Sequence, residues 1–297
     1  MTTYYIAPTT HPTTPGNDTT GNGSEATPWA TISKAHTSAA SGDTIICKDG
    51  TYTFGSQTFN KSLTIRAQNS GLAIFDGAAG NVSWTIGAVT LSVYGLIFQN
   101  ITRAGADNYI FTSGASVAIV LFENCQFKTL LIEGAMFASG GIFGIGVNTG
   151  GSSAWTFVSC LFNDPHQSNT SNQQIFSSVD PLADDIVSLT LINCVLYLST
   201  TGGPAMSYII MTQYPGRVVL TLKNNIIYNG TGTGKPVTAT TNSGSFTITA
   251  NNNTFYNTVG NPSGTGNITD DPLFYDAAAG NFELRQDSPC LNTGTLV

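Results

Sequence analysis

Short stretches in which apolar and polar residues alternate recur along the chain, and each ends in a five-residue segment of similar pattern. The six segments are Tyr94–Phe98, Glu123–Phe127, Val158–Phe162, Ile192–Leu196, Lys223–Ile227 and Asn251–Phe255. Their last residues are apolar and lie 29, 35, 34, 31 and 28 positions apart. Alternation predicts strands that bury one face, and a repeat of roughly thirty residues predicts a solenoid of stacked coils.

A second column of apolar stretches has the same spacing. Its members are Tyr109–Phe111, Ile142–Ile145, Gln174–Phe176, Tyr208–Met211 and Val237–Ala239. The stretches are short and bounded by Gly and Asn, which favours strands over tandem helices. An antiparallel sandwich would show turns about every 8 to 12 residues. We therefore predict an all-β fold, a right-handed single-stranded parallel β-helix that forms one domain over residues 1–297.

The second position of the repeated segment holds residues that tolerate a left-handed backbone. This column reads Gly95, Asn124, Ser159, Asn193, Asn224 and Asn252. Gly and Asn adopt that conformation at the least cost, and a sharp bend between two strands requires it. Leu222 and Asn225 should both point inward although their spacing is odd, so Asn224 has to absorb the change of phase.

The third position predicts a ladder inside the solenoid. This column reads Leu96, Cys125, Cys160, Cys194, Asn225 and Asn253. Stacked coils place such residues about 4.8 Å apart. The three cysteines form either a metal or redox site or a column of small buried thiols. The second interpretation is favoured, because no His and no fourth Cys joins them at zinc-like spacing; we expect no metal and no cofactor.

The residue that follows each inward apolar residue forms an outward column. It reads Gln99, Lys128, Asn163, Tyr197, Tyr228 and Tyr256. Aromatic rings with polar tips suit sugar faces and protein interfaces. Lys128 and the three tyrosines are therefore a predicted binding surface, and the alternative is a surface stack that only stiffens the solenoid.

Both ends of a solenoid expose its core and require caps. Thr27 and Pro28 are predicted as the N-cap and first residue of a helix, which Gly42 ends. Its apolar face holds Trp29, Ile32, Ala35 or His36, and Ala39. The predicted divisions are a strand and cap helix over 1–41, coils over 42–268, and a segment over 269–297 that closes the other end.

Charge and composition restrict the partners. Only 9% of residues are charged, and the net charge is −7 with ten Lys and Arg. Because no basic stripe forms, we expect no nucleic-acid partner. No run reaches the roughly 18 apolar residues of a membrane span, and no basic and apolar leader follows Met1, so we expect neither membrane insertion nor an export signal. Five cysteines give no disulfide framework.

Motifs near both ends resemble those of the pectate-lyase-like right-handed β-helix superfamily. They are Tyr4–Pro8, Asn17–Asp18, Gly21–Ser24, Pro28–Ile32, Gly42–Ile45, Asp49–Tyr52, Asp271–Phe274 and Ser288–Pro289. The resemblance implies the fold for essentially the whole chain. It does not specify function, since the superfamily includes lyases, glycoside hydrolases, phage tailspikes and non-catalytic virion proteins. It implies that a lyase would need a Lys or Arg base and often Ca²⁺ held by acids.

Acidic residues gather in two predicted loops. Asp180, Asp184 and Asp185 lie in one loop, and Asp164 and His166 lie in the other. If the chain is an enzyme, these five are the predicted catalytic residues, because a glycoside hydrolase needs two carboxylates about 5 to 10 Å apart. The alternative is a set of solvated loop residues. Basic residues are scattered over different coils and faces, so no lyase base is identified.

The absence of an export signal, the unpaired thiols and the low charge favour a structural or adhesive virion protein. A capsid decoration or spike component fits, with a polysaccharide as a further candidate partner. The alternative is an extracellular polysaccharide lyase or glycoside hydrolase. Segment Leu130–Val147 holds more apolar residues than one coil can turn inward, so we expect it under a loop or against a partner. Other virion proteins or a second copy are expected partners, with a homotrimer suggested by the resemblance to spike proteins.

Overall fold

The computed structural model describes most of the chain. The described residues are 1–78, 80–104, 109–114, 116–133, 141–146, 151–163, 166–167, 174–179, 185–198, 210–212, 217–230, 235–240 and 245–295. They form a right-handed parallel β-helix whose sides are three sheets. The predicted all-β fold, which the superfamily resemblance also implied, is confirmed.

The three sheets share one chain order, so each coil contributes to each sheet in turn. Sheet A consists of Thr3–Ile6, Thr44–Cys47, Leu63–Ala67, Thr90–Tyr94, Ile119–Glu123, Ser152–Val158, Ile186–Ile192, Arg217–Lys223 and Ser245–Asn251. Sheet B consists of Gly50–Thr53, Ala73–Asp76, Leu96–Ala104, Gln126–Glu133, Leu161–Asn163, His166–Gln167, Val195–Leu198, Ile226–Asn229 and Thr254–Tyr256. Sheet C consists of Gln57–Phe59, Trp84–Ile86, Tyr109–Thr112, Gly141–Gly146, Gln174–Val179, Ile210–Thr212 and Thr238–Thr240. Neighbouring strands pair in parallel, as in Val187↔Val218 and Phe127↔Phe162.

Smaller elements lie outside these sheets. Lys235–Pro236 pairs in parallel with Thr258–Val259. Phe274–Asp276 and Asn281–Leu284 pair in antiparallel fashion around a 3₁₀ turn at Ala277–Ala279, and we call residues 274–284 the C-terminal hairpin. The described helix is Ile32–Ser38.

Aromatic rings from successive coils stack along the solenoid axis. The Phe127 ring centroid lies 5.5 Å from that of Phe98 and 5.0 Å from that of Phe162. On sheet C, Phe111 and Phe143 stack at 5.1 Å. These spacings follow the rise between coils and place the rings in offset contact. The predicted inward column, which continues through Leu196, Ile227 and Phe255, is buried throughout.

The predicted left-handed bend between sheets A and B occurs in all six repeats. The φ angles are 69° at Gly95, 54° at Asn124, 52° at Ser159, 55° at Asn193, 57° at Asn224 and 55° at Asn252. This bend absorbs the odd spacing between inward residues, as predicted for Asn224. A second left-handed position, at Asn100, Thr129 and Asn257, follows the outward column of sheet B and was not predicted.

The predicted thiol ladder points inward, and its members are reduced. Cys125, Cys160 and Cys194 are buried and free. The sulfur of Cys160 lies 3.4 Å from the carbonyl oxygens of Phe122 and Val158. Burial raises the pKa of the Cys160 thiol, and the neighbouring thiols raise it further. Cys160 is therefore a neutral thiol, and the sulfur of each ladder cysteine lies within hydrogen-bond distance of a carbonyl oxygen of the preceding coil.

Asparagines continue the ladder towards the C-terminal end. The side-chain oxygen of Asn225 accepts from the backbone N–H of Cys194 at 2.9 Å, and its amide nitrogen donates to Asn253 Oδ1 at 2.9 Å. Asn253 in turn donates to Asn267 Oδ1 at 3.1 Å. Each carboxamide thus ties one coil to the next, and the last one ties the coils to the segment that follows them.

The N-terminal helix starts later than predicted. Its N-cap is Thr31, whose hydroxyl accepts from the backbone N–H of Lys34, and its last residue is Ser38. The assignments of Thr27 as N-cap and Gly42 as the end are wrong. Asp18 Oδ1 accepts from the backbone N–H groups of Ala30 and Thr31 at 2.7 and 3.2 Å, which holds that stretch extended until Thr31.

The C-terminal end is covered differently from the sequence-based expectation. The backbone of 265–268 pairs with the last coil through Asn252 N to Thr265 O at 2.8 Å and Phe255 N to Ile268 O at 2.9 Å. These residues precede the predicted boundary at 269. The C-terminal hairpin instead folds back along the side of sheet B, where its aromatic rings contact tyrosines of two coils.

Part of the apolar segment 130–147 is buried within the single chain. Leu130 and all six residues of Gly141–Gly146 are buried. A Cβ on Gly144 would lie 2.5 Å from the ring of Tyr109, so that ring covers its outer face. Residues 134–140 and 147 lie outside the described residues. Leu130 and Gly141–Gly146 are buried without a partner, whereas Leu131 is half-buried, and the homotrimer stays a prediction.

Within the described ranges, no helix has the length and apolar character needed to cross a bilayer.

We predict that the ladder thiols resist labelling in the native state. Cys47, Cys125, Cys160 and Cys194 are buried, whereas Cys290 is only half-buried. A thiol reagent should modify Cys290 first and the other four only on unfolding, as read by mass spectrometry. Cys160→Asp should strongly lower the melting temperature because it buries an unpaired charge, while Cys160→Ala serves as the control. Rapid native labelling of all four would contradict the assignment.

We predict that the bend residues differ in importance according to their side-chain contacts. Asn124→Val should cost about 1–2 kcal/mol, since a β-branched residue is strained at positive φ. Asn224→Val should cost more, because Asn224 also bonds to the backbone of Thr295 at 2.7 and 3.1 Å. Chemical denaturation of both variants measures the difference. An unchanged stability for Asn124→Val would disprove the strain argument.

Candidate functional site

The predicted catalytic cluster is only partly within the described residues. Asp164, Asp180 and Asp184 lie outside them, and for His166 only the backbone is described, in register with Leu131. Asp185 is fully buried, and its Oδ1 accepts from the backbone N–H of Gly151 at 3.1 Å. Asp185 is therefore not a solvated loop residue; it joins two coils at the start of a sheet A strand.

The three tyrosines of the outward column do stack. Tyr228 lies 5.2 Å from Tyr197 and 4.9 Å from Tyr256, ring to ring. The C-terminal hairpin covers the stack: Phe282 contacts Tyr197 at 5.1 Å, and Phe274 contacts Tyr228 at 5.8 Å. Tyr197 is only 8% exposed. The hairpin therefore leaves little of Tyr197 accessible, and both the binding surface and the stiffening stack stay predictions for the three tyrosines.

The environment of Tyr228 changes its acidity. Burial raises the pKa of Tyr228, and the nearby Asp271, Tyr256 and Tyr197 raise it further. The neutral phenol is therefore the form that the folded state favours. The hairpin contributes to this effect, because it supplies the apolar ring of Phe274 over Tyr228.

Lys128, the fourth residue of the predicted surface, lies where the hairpin ends. It borders an open cleft of about 520 Å³ between sheet B and the hairpin tip. The lining residues are Gln126, Lys128, Leu161, Ala279, Gly280, Asn281, Phe282 and Glu283. The cleft exists because the hairpin extends up the side of the solenoid only as far as this coil. One cation and one carboxylate face it.

A second cavity lies on sheet A beside the left-handed bend. It has a volume of about 480 Å³, and its lining is Thr64, Arg66, Ala67, Gln68, Ser70, Tyr94, Gly95 and Asn124. Arg66 and Tyr94 are in register on adjacent strands, so their side chains leave the same face about 4.8 Å apart. Arg66 is exposed and Tyr94 is half-buried. An aromatic ring therefore lies beside a guanidinium group.

Gln126 borders the hairpin cleft and lies two residues after Asn124, which borders the other cavity. Its amide nitrogen reaches to 3.9 Å from the Cβ position of Gly71 in the bend above. A path thus runs around the outside of the solenoid from sheet A to sheet B. We call it the binding track and define it by Arg66, Tyr94, Asn124, Gln126 and Lys128.

The cations of the track are available to a ligand. Four other basic residues, Lys48, Lys61, Arg103 and Arg285, donate hydrogen bonds to the chain itself. The side chains of Arg66 and Lys128 have no hydrogen bond or ion pair with the described part of the chain. In a chain with ten basic residues, two unengaged cations therefore border the two cavities of one track.

In the last two coils, the left-handed asparagines between sheets A and B bond to the C-terminal tail. Asn224 donates from Nδ2 to Thr295 O at 2.7 Å and accepts at Oδ1 from Thr295 N at 3.1 Å. Asn252 Nδ2 donates to Thr295 Oγ1 at 3.1 Å. Asn124 has the same left-handed backbone, but its carboxamide has no partner among the described residues. The C-terminal tail therefore leaves only the upper coils open.

The described residues do not suggest a metal centre. Within that part of the chain, no three His, Cys, Asp or Glu side chains gather in a way that could hold a metal ion. Among the residues that line the two cavities, Glu283 is the one acid.

Sequence reasoning identified Lys128 but missed Arg66 and Tyr94. Arg66 precedes the first repeated segment, and Tyr94 was noted only as the first residue of one. The available signal was the register: the residue before the left-handed position points outward in every coil, so Tyr94 and Glu123 lie next to each other. Arg66, which pairs with Tyr94 from the preceding coil, could be identified only from the strand pairing in the structure.

The comparisons with known proteins concern the fold. No protein-family model matches the sequence, and no curated protein sequence matches it. Among solved structures, the chain is similar to pectate lyase Pel9A at 17% identity and a TM-score of 0.46, over 100% of this chain and 92% of that one. It is similar to a rhamnogalacturonan lyase at 14% identity and a TM-score of 0.36, over 91% and 83% of the two chains. It is also similar to a mannuronic acid specific polysaccharide family 6 lyase from human gut microbiota, at 13% identity and a TM-score of 0.39, over 89% of this chain and 66% of that one. No residue role follows from likenesses of this size.

We predict that Tyr228 makes stability depend on alkaline pH. Because the pKa of Tyr228 is higher in the folded chain, its stabilising contribution is complete below the unfolded pKa of about 10. It is lost as the pH rises through the folded pKa. Tyr228→Phe should therefore lose less unfolding free energy between about pH 9 and pH 11 than the native chain. Tyr275→Phe, at an exposed tyrosine, is the control; equal slopes for all three would contradict the assignment.

Proposed function

We propose that this β-helix binds an acidic polysaccharide in the binding track. The observation that carries the proposal is the pair of unengaged cations, Arg66 and Lys128, that border two cavities on the outside of the solenoid. A guanidinium group binds carboxylate or sulfate oxygens through paired hydrogen bonds. Both cations belong to a chain that is negative as a whole, and each has a carboxylate nearby: Glu123 is in register with Tyr94, and Glu283 borders the cleft of Lys128. The attraction should therefore be confined to the immediate surroundings of Arg66 and Lys128.

The other residues of the track suit a sugar rather than a small anion. The Tyr94 ring gives an apolar face with a polar tip, which is the kind of surface that packs against a pyranose. Asn124 and Gln126 present carboxamides that donate and accept. The path from Arg66 to Lys128 crosses a bend and two sheets, so an extended chain of several sugar units fits it better than a single sugar.

A lyase is the second candidate function. Elimination next to a uronate needs a cation that neutralises the carboxylate and a group that removes the neighbouring proton. Arg66 and Tyr94, side by side in one cavity, offer one of each. Glycoside hydrolysis has less support, because it needs two carboxylates, and the described lining of the two cavities holds only Glu283.

The biological setting stays a prediction. An adhesive role on a virion, with other virion proteins as partners, is compatible with a binding track that has no catalytic activity. An extracellular location is the alternative, and it accompanies the lyase candidate.

We predict that binding depends on the track residues. The purified chain is to be screened against acidic and neutral polysaccharides by calorimetry, with unsaturated products and new reducing ends recorded in parallel. Arg66→Ala and Lys128→Ala should each weaken the binding of an acidic polysaccharide about 10- to 100-fold, since a charge-assisted hydrogen bond contributes about 1.5–3 kcal/mol. Tyr94→Ala should weaken binding to acidic polysaccharides as well.

The controls remove the same kinds of side chain away from the track. Arg217→Ala removes an exposed arginine from the same sheet, and Tyr275→Ala removes an exposed tyrosine; both should bind like the native chain. Unsaturated products that disappear in Arg66→Ala would select the lyase over the adhesin. If no acidic polysaccharide binds, or if the controls lose as much affinity as the track variants, the proposal is wrong.

A further inference from the structure

The two ends of sheet A are protected to different degrees. At the N-terminal end, the outer edge of Thr3–Ile6 is paired, because Tyr5 N donates to Gly23 O at 2.8 Å and Trp29 N donates to Tyr5 O at 3.1 Å. Ile32 and Ala35 of the cap helix lie over the core at this end and are buried. No further strand can add there without displacing these residues.

At the C-terminal end, the outer edge of sheet A is largely bare. Ser245–Asn251 is its last strand. The segment 265–268, which pairs with the last coil and is called the covering segment, reaches only the end of this strand, where Asn267 Nδ2 donates to Ala250 O at 2.9 Å. No described residue pairs with the outer edge between 245 and 249. Phe246 and Ile248 pack against the core but remain half-buried. The core is therefore incompletely closed at this end.

The peptide groups of Phe246 and Ile248 point away from the solenoid. Asn251 O accepts from Asn224 N of the preceding coil, whereas Ala250 O faces the covering segment. Successive residues of a strand direct their N–H and C=O groups to opposite edges. Residues 246 and 248 therefore share the direction of Ala250 and present free donors and acceptors.

This strand also lacks the features that keep exposed edges from pairing. Natural edge strands are usually short, charged, bulged or interrupted by Pro. Ser245–Asn251 spans seven residues and contains no charged residue and no Pro. Its pairing with the preceding strand is regular from Arg217↔Ser245 to Lys223↔Asn251. A regular, uncharged strand with free peptide groups is a template for another strand.

We infer that two copies of this chain associate end to end, through antiparallel pairing of residues 245–249 about a two-fold axis at Thr247. Head-to-tail stacking is blocked because the N-terminal edge is already paired. The free edge of one copy can therefore pair only with the same edge of a second copy. The strand is uncharged, so no like charges oppose self-pairing. A closed two-fold dimer follows, and not an open fibre.

This register pairs the peptide groups that are free in each copy. Centring it on Thr247 places Phe246 opposite Ile248 of the partner subunit as a hydrogen-bonded pair, which uses the outward peptide groups of both residues. Both side chains are on the inward face, so each covers the other. The half-buried end of each core is closed by the other copy.

Cysteine cross-linking tests the register directly. Thr247 would face the partner subunit's Thr247 as a non-hydrogen-bonded pair with Cα atoms about 4.5 Å apart, which is within disulfide range. In a Cys290→Ser background, Thr247→Cys should form a covalent dimer on mild oxidation. Thr249→Cys is the matched control, because its symmetry equivalent would be more than about 10 Å away and should not cross-link.

Solution mass tests the association itself. Light scattering of the full chain over a concentration series should show a particle of two chains. Thr247→Lys places like charges opposite each other on an exposed residue outside the core, and should raise the dissociation constant at least tenfold, with partial recovery in high salt. Thr190→Lys, an outward residue of a central sheet A strand, should leave the dimer intact.

Several results would overturn the inference. They are a monomer at every concentration, a trimer, a dimer that Thr247→Lys does not weaken, and equal cross-linking at 247 and 249. None of these bears on the binding track, which lies on other coils.

Discussion

A parallel coil has no hairpins, so every strand must pair with the coil before it and the coil after it. The chain therefore has to change direction at the same place in each coil, or the register is lost. The left-handed residue between sheets A and B meets this constraint, with φ between 52° and 69° in six successive repeats. Because the bends coincide, the residues around them stack in columns. The aromatic core, the thiols and the asparagines are all consequences of that alignment.

The inner ladder shows how a column adapts to its neighbours. Thiols in the middle coils donate weakly to carbonyls of the preceding coil and of their own coil, and they suit a position that is closed to water. Towards the C-terminal end, Asn225 and Asn253 replace them, and the chain of carboxamides ends on Asn267. A fully bonded polar chain inside a solenoid stabilises one arrangement. Here it connects the last coils to the segment that covers part of their end.

The C-terminal segment determines which outer surface is left for a ligand. Its hairpin covers the tyrosine stack, and its tail bonds to the lower asparagines of the bend column. The upper coils keep the same outward columns without that cover, and there Arg66, Tyr94 and Lys128 border open space. The track is thus the part of a repeated surface that the chain does not cover with its own residues. No part of this segment that the structure describes pairs with the outer edge of residues 245–249, so one element sets both surfaces.

The sequence by itself determined the periodic features: the parallel coils, the bend at Asn224, the inward cysteines and the stacked tyrosines. Each repeats from coil to coil, and a fixed spacing carries the information. Only the tertiary structure decided the start of the cap helix at Thr31, the burial of Asp185, the hairpin over Tyr197 and the pairing of Arg66 with Tyr94. These depend on single contacts between residues far apart in the chain. Such contacts follow from how loops and ends fold back onto the coils, and no periodic pattern encodes them.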